Sequence, residues 1–433
     1  MPINGICGDK RPLPPFPAAD RVYRVDHGAR MTHPPPTATT PPSWHSGRMV
    51  TASRGDGMRR ANLALVLRTV HREGPRSRAA LTEATGLNRS TIADLVGELV
   101  GDGLVVERAP DPVGRVGRPS PTVAPDPRVV AIGVNPEVDA LDIGAFALDG
   151  AVVARERLPQ TALLTPERTA EIVGERVGAW RRGLLRGLRP VGVGVAVPGP
   201  VRAADGLVRT APHLEWTDAA IGALVTDATG LPARVGNDAA LGALAEYLFG
   251  AARGAHDVVY LNGGASGIGG AVIVGGTPLG GAGGYAGEFG QNRPGIVDAA
   301  DRRALDGVLE DEVSRARLLA ALRLDAVDDS VLAEALASTD DPEAHAETAR
   351  QRRILATALA NAANVLNPAV IVLGGFLATL AALDLDGLDT AVRSQTMPAC
   401  AEDLRLRVAE LGQNRLLVGA AEAVFEAELF PTP

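Results

Sequence analysis

Three carboxylates stand in stretches whose composition would let a ligand approach them. Glu288 lies in "GGYAGEFGQNRPG", Asp238 follows Asn237 in "GNDAALGALAE", and Glu310 lies in "DGVLEDEVS". An ionised carboxylate accepts several hydrogen bonds, so the three together could grip a polyol through its hydroxyls, while flanking glycines let backbone come close. The same residues have other uses. Glu288 could bind a metal or cap a helix, and Asp238, between an apolar strand and a helix, could be an ordinary N-cap. The glycine-rich "NGGASGIGGAVIVGG" from Asn262 could cradle phosphate, lie against a sugar, or be a hairpin that needs positive φ.

The elements that must hold these acids alternate between strand and helix. "VVAIGV", "ALDIGAFAL" and "AVVARERL" read as strands, followed by a helix from about Pro166 to Leu188 and the strand "PVGVGVAVPGPV". A second set follows: "DVVYLNGG", "GGAVIVGG", helical tracts over 301–337 and 341–365, and the strand "AVIVLGG". The pattern predicts an α/β domain over 128–433 with two lobes, about 128–245 and 246–433. A cleft between such lobes is the natural ligand site.

Residues 58–127 have a different texture. "RRANLALVLRTVHREG" places Leu63, Val66, Leu67 and Val70 on one helical face and stops at Gly74. Ser77 and Asn88 are suited to cap two further helices joined by a turn at Gly86 and Leu87, which is helix-turn-helix grammar. The second helix buries Ile92, Leu95, Val96 and Leu99 and leaves Arg89, Ser90 and Thr91 outward at its start. A hairpin follows: its "GRVGRP" loop carries Arg115 and Arg118, a wing that could enter an A·T-rich minor groove. From Arg59 to Arg128 there are 11 arginines and 8 acids, about +3 within a chain of net charge −8. The sign suits double-stranded DNA at this module and opposes non-specific binding by the rest.

The remaining composition excludes several classes. Cys7 and Cys400 are the only cysteines, so neither a disulfide framework nor a multi-cysteine zinc site can be built. Neither a secretory signal nor an apolar run of membrane-spanning length is present, which points to a cytoplasmic protein without membrane contact. Residues 1–57 carry ten of the 32 prolines and no core periodicity, and are expected to be a disordered tail.

The order of winged helix, "VGVGVAVPGPV", "GNDAALGALAE", "GASGIGGAVIVGG", "AGEFG" and "LNPAVIVLGG" resembles the ROK family of repressors and sugar kinases, in its winged-helix repressor branch. The resemblance implies an actin-like, ribonuclease-H-like fold and a cleft for a sugar or sugar phosphate that tunes operator binding. It also implies sugar contacts from Asn237, Asp238, Glu288 and Glu310, and a homodimer or homotetramer on a palindromic operator. Two departures qualify it. Family kinases have an Asp, an apolar residue and Gly-Gly-Thr in the first strand turn; here Asn135, Pro136, Glu137 and Val138 remove the acid and a backbone donor and add negative charge. Ala265 and Ala271 likewise replace glycines. ATP is therefore expected to be absent and kinase activity lost, although Asp238 retains the position of the kinase base. Relatives also carry a histidine and three cysteines for zinc; Gln291 holds the histidine's place beside the sugar-binding acids, and no cysteine follows. Zinc is expected to be absent, with the segment after Gln291 ordered by packing alone. The resulting reading is a sugar-responsive repressor of carbohydrate-metabolism genes, the alternative being an ATP-dependent sugar kinase with a DNA-binding head.

Overall fold

In the computed structural model of the chain the described residues are 54–430, apart from 109–120, 297 and 326. Arg115 and Arg118 lie outside them, as does the expected tail up to residue 53. The first helix, α1 (Arg54–Glu73), begins within the stretch expected to be tail and stops before Gly74. It is followed by β1 (Arg76–Ser77), α2 (Arg78–Thr85), α3 (Arg89–Gly101), β2 (Val105–Arg108) and β3 (Thr122–Pro125). The Ser77 hydroxyl accepts the Ala80 N–H and the Asn88 side chain accepts the Thr91 N–H, so both caps lie where the sequence put them. The strands form a small antiparallel sheet, β1-β3-β2.

Two larger sheets share one plan. The first is built from β4 (Val129–Pro136), β5 (Ala140–Ala147), β6 (Val152–Pro159), β7 (Arg189–Val197) and β10 (Ala233–Asn237), in the order β10-β7-β4-β5-β6. Helix α4 (Pro166–Arg182), the hairpin β8 (Val208–Ala211) and β9 (Trp216–Ala219), and α5 (Ile221–Thr229) provide its connections, and α6 (Asp238–Phe249) leads out. The second contains β11 (Val258–Gly264), β12 (Gly267–Val274), β13 (Thr277–Pro278), β14 (Val370–Gly375) and β15 (Arg405–Val408), in the order β13-β12-β11-β14-β15. In each sheet three antiparallel strands are followed by two parallel ones. This repeated, actin-like arrangement makes the β4–β5 turn and the β11–β12 turn topological equivalents.

The second lobe carries α7 (Leu309–Glu312), α8 (Arg315–Leu322), α9 (Asp329–Ser338), α10 (Pro342–Leu366), α11 (Phe376–Ala382), α12 (Leu385–Arg393) and α13 (Pro398–Ala401), after which α14 (Arg415–Glu428) returns to the first sheet. Two sequence expectations are corrected. Helix α4 ends at Arg182 rather than Leu188, because at Gly183 the backbone leaves helical geometry and its N–H turns back to Trp180 O. The tract 301–337 is three short helices, since Asp306 and Arg323 adopt left-handed φ of 63° and 56° that no continuous helix allows.

Helix α14 fixes the relation of sheet, lobe and head. It lies so close to the first sheet that a Cβ on Gly194 would overlap the Ala420 carbonyl and one on Gly133 the Leu417 carbonyl. Its own Gly419 abuts Leu241 O of α6. On its outer side Leu417, Ala421, Val424 and Phe425 are buried in one cluster with Leu67 and Val70 of α1 and Leu95 and Leu99 of α3. Head and α/β body thus share a core.

Candidate functional site

The glycine-rich stretch after Asn262 is a tight hairpin in which Gly264 pairs with Gly267. Gly267 has φ +120°, and a Cβ there would strike the Glu310 carboxylate. Two residues along, a Cβ on Gly269 would lie 3.7 Å from Asp238 Oδ1. Residues two apart on a strand share a face, so Glu310 and Asp238 stand together over a glycine-lined face of β12. Glu310, on α7, accepts the Ile268 N–H at 3.1 Å and the Gln291 side-chain amide at 2.6 Å.

The structure distinguishes between the uses left open for these acids. Asn237, not Asp238, caps α6: its Oδ1 accepts the Ala240 N–H at 3.0 Å and its Nδ2 donates to Gly199 O at 3.1 Å. Asp238 accepts the Ala239 N–H at 2.7 Å, and burial, the largest influence, pushes its carboxyl up to about 7. Glu288 begins a short 3-10 turn without capping it through its side chain. Burial and then the neighbouring Glu310 charge raise the Glu288 carboxyl above the usual range. Among the described residues no group of three or more His, Cys, Asp and Glu side chains is arranged to hold a metal ion. Asp238, Glu288, Gln291 and Glu310 are therefore gathered as a set of hydrogen-bond acceptors with one amide, and Asn237 lies beside them with its side chain committed to backbone.

The segment after Gln291 is not ordered by packing alone. Glu312 and Arg350 are 0% and 1% exposed and meet at 2.9 Å. The Glu312 carboxylate also takes the Arg303 and Ala304 N–H groups, and Arg350 donates to Asp301 O at 2.7 Å and Glu312 O at 2.6 Å. This knot ties the loop to α10 and holds α7, from which Glu310 projects. Sequence reasoning missed it because neither residue belongs to a motif.

A second compartment adjoins the acids, with Asp238 as a shared wall. It lies between the equivalent turns, with Asn135 and Glu137 on one side and Gly263 to Ser266 on the other. Asn135 donates to Glu137 at 2.8 Å, and burial raises the Glu137 carboxyl above its usual range. Across β5 and β6, Arg157 binds Asp142 at 2.6 Å and Asp139 at 3.1 Å. Arg415, at the first turn of α14, donates to Asn262 Oδ1 at 3.0 Å. The first turn thus offers a proline and an acid rather than a run of N–H donors.

From this compartment α14 runs to the head, a rise of about 20 Å for its length. Two turns beyond Arg415, Glu422 meets His71 of α1 at 3.0 Å, while His71 Nδ1 lies 2.5 Å from Leu148 O. Farther on, Glu426 pairs with Arg68 at 3.0 Å and with Arg72. In the head itself, Arg89 and Ser90 are exposed at the start of α3, Ser90 Oγ donates to Asn88 Oδ1 at 2.7 Å, and Thr91 is half-buried.

Comparison with known proteins bears on this arrangement. The model of the ROK family matches residues 131–427. The xylose repressor of Caldicellulosiruptor bescii is 24% identical over 397 residues, 86% of this chain and 98% of that protein. A crystal structure of a ROK family transcriptional regulator, a homologue of the E. coli MLC protein, superposes with a TM-score of 0.69 at 23% identity, covering 86% of this chain and 98% of that one. The ROK hexokinase of Thermus thermophilus superposes with a TM-score of 0.52 at 28% identity, over 69% of this chain and 98% of its own.

Proposed function

The chain belongs to the ROK family, and from that premise we propose that it is a sugar-responsive DNA-binding regulator, a repressor of carbohydrate-metabolism genes. The observation that carries the reading is α14, which starts among the cleft residues at Arg415 and ends in the core of the N-terminal helices at Phe425. Asp238, Glu288, Gln291 and Glu310, with Asn237 beside them, hold the hydroxyls of a sugar. The N-terminal module is a winged helix-turn-helix spanning about residues 58–127, in which Arg89, Ser90 and Thr91 face operator DNA and Arg115 and Arg118 belong to the wing. The α/β domain spans 128–433. Sugar in the cleft favours one setting of the lobes, and α14 passes that preference to the head of each subunit in a dimer or tetramer. Coverage of nearly the whole C. bescii repressor supports the regulator reading over a bare sugar-binding domain.

The protein transfers no phosphoryl group in this account and needs neither ATP nor zinc. Pro136 and Glu137 disfavour phosphate, and the Glu312–Arg350 knot orders the loop without a metal. A second reading, an active sugar kinase with a DNA-binding head, draws on Asp238, whose carboxyl near neutrality suits a general base. Two assays on the full chain separate them. The regulator binds a labelled fragment from upstream of its own gene in excess non-specific DNA and shows no sugar-dependent ATP turnover; clear turnover reverses the assignment whether or not the fragment is bound.

A further inference from the structure

Asp142 carries the strongest unexplained feature of the cleft. Its side chain is buried on β5, with Oδ2 held by Arg157, yet Oδ1 is buried without a hydrogen-bond partner. A buried acceptor left unpaired is costly, and Asp142 is among the residues that line the compartment between the two turns. Resting on the sugar reading above, we infer that this compartment is a second saccharide subsite, so that the effector is an uncharged sugar of at least two rings joined past Asp238.

The charges select the ligand class. Four arginines line the compartment, and each already has an acceptor: Arg155 on Gln413, Arg157 on Asp139 and Asp142, Arg315 on Asp329, and Arg415 on Asn262 and Gly412 O. The acids Glu137, Asp139, Asp142, Asp238, Asp328 and Asp329 outnumber them, six to four. Arg157 and Arg315 already hold carboxylates while Arg155 and Arg415 meet neutral acceptors, and a phosphate or carboxylate would add negative charge to a lining with more acids than arginines. Hydroxyls supply donors to these acids without adding charge. Glu137 and Asp142, both raised by burial, gain from the same donors. Glu288 and Glu310 do not line this compartment whereas Asp238 does, which places one ring over β12 and the next beside Asp142.

The test is calorimetric titration of the full chain with D-xylose against xylobiose, D-glucose against cellobiose, and D-glucose 6-phosphate. In at least one matched pair the disaccharide binds about tenfold or more tightly than its monosaccharide, the factor expected for hydrogen bonds to charged groups. Asp142→Asn, which keeps shape but turns one acceptor into a donor, removes that margin; Ala265→Trp, at the exposed rim, removes it by obstruction and serves if the first variant melts abnormally. Equal affinities within both pairs, a margin that survives in folded variants, or tighter binding of the 6-phosphate than of glucose overturns the second subsite. Binding of none of the five overturns the sugar reading as well.

Discussion

His71 of α1 and Glu422 of α14 form a buried pair that joins the head to the α/β body, the imidazole Nε2 lying 3.0 Å from the carboxylate. The other ring nitrogen faces the Leu148 carbonyl, so both nitrogens meet acceptors and the ring must donate twice. Burial, the largest influence, pushes the His71 pKa down, but the Glu422 hydrogen bond and charge more than offset it and the net shift is above 6.5. A base with a raised folded-state pKa contributes stability that is complete below pH 6.5 and lost as pH rises through the folded value. Thermal unfolding followed from pH 6 to pH 9 should show the head-to-body core weakening over that window. His71→Leu should flatten the slope above pH 7, where Asp238 no longer contributes, and cost about 3 kcal/mol, because it strands the Glu422 carboxylate.

Asp238 gives a pH dependence of the same sign in a lower window. Its carboxyl sits near 7, so between its ordinary 3.8 and that value the folded protein holds a proton the unfolded chain releases, and folding stability falls as pH rises. Sugar hydroxyls donate to the ionised form and should release the proton. Affinity for a bound sugar should therefore rise about tenfold from pH 6 to pH 8, with proton release visible in buffers of different ionisation enthalpy. Asp238→Asn should bind more weakly and show a flat profile.

How far the sequence carried the account can be judged from these residues. Asp238 and Glu288 stood out as candidates because one sits at a strand end and the other among glycines, Glu310 came with the family resemblance, and the period of apolar residues identified both sheets. The caps at Ser77 and Asn88 were equally legible, since capping is local chemistry. Arg350, Glu312 and Asp142 were not legible, because their partners lie 38 residues away in one case and across a strand pair in the other. No motif marks α14 in the sequence, and the sheet glycines beneath it show how tightly it is seated.

The loop knot predicts a local effect. Glu312→Ala leaves Arg350 with Glu347 as its remaining carboxylate partner and takes the acceptor from the Arg303 and Ala304 amides, a loss of about 2 to 3 kcal/mol. Hydrogen exchange should show the amides of Arg303 and Ala304 losing protection, since both donate to Glu312. Sugar affinity should fall with them, through the displaced Glu310.

The seat of α14 predicts a steric one. Gly194→Ala places a methyl group against the Ala420 carbonyl. The overlap involves backbone on both sides and cannot be relieved by a rotamer change, so the cost should be about 1 to 3 kcal/mol and appear as a lower melting temperature. If α14 couples cleft to head, any folded Gly194→Ala protein should also respond to sugar with a smaller change in DNA affinity.

The coupling itself is measured most directly by fluorescence anisotropy of the full chain on a labelled upstream fragment, with and without saturating sugar. The account predicts that the DNA dissociation constant changes by about fivefold or more, the lower end of ordinary allosteric coupling. An unchanged constant under a sugar that calorimetry shows to be bound would contradict it.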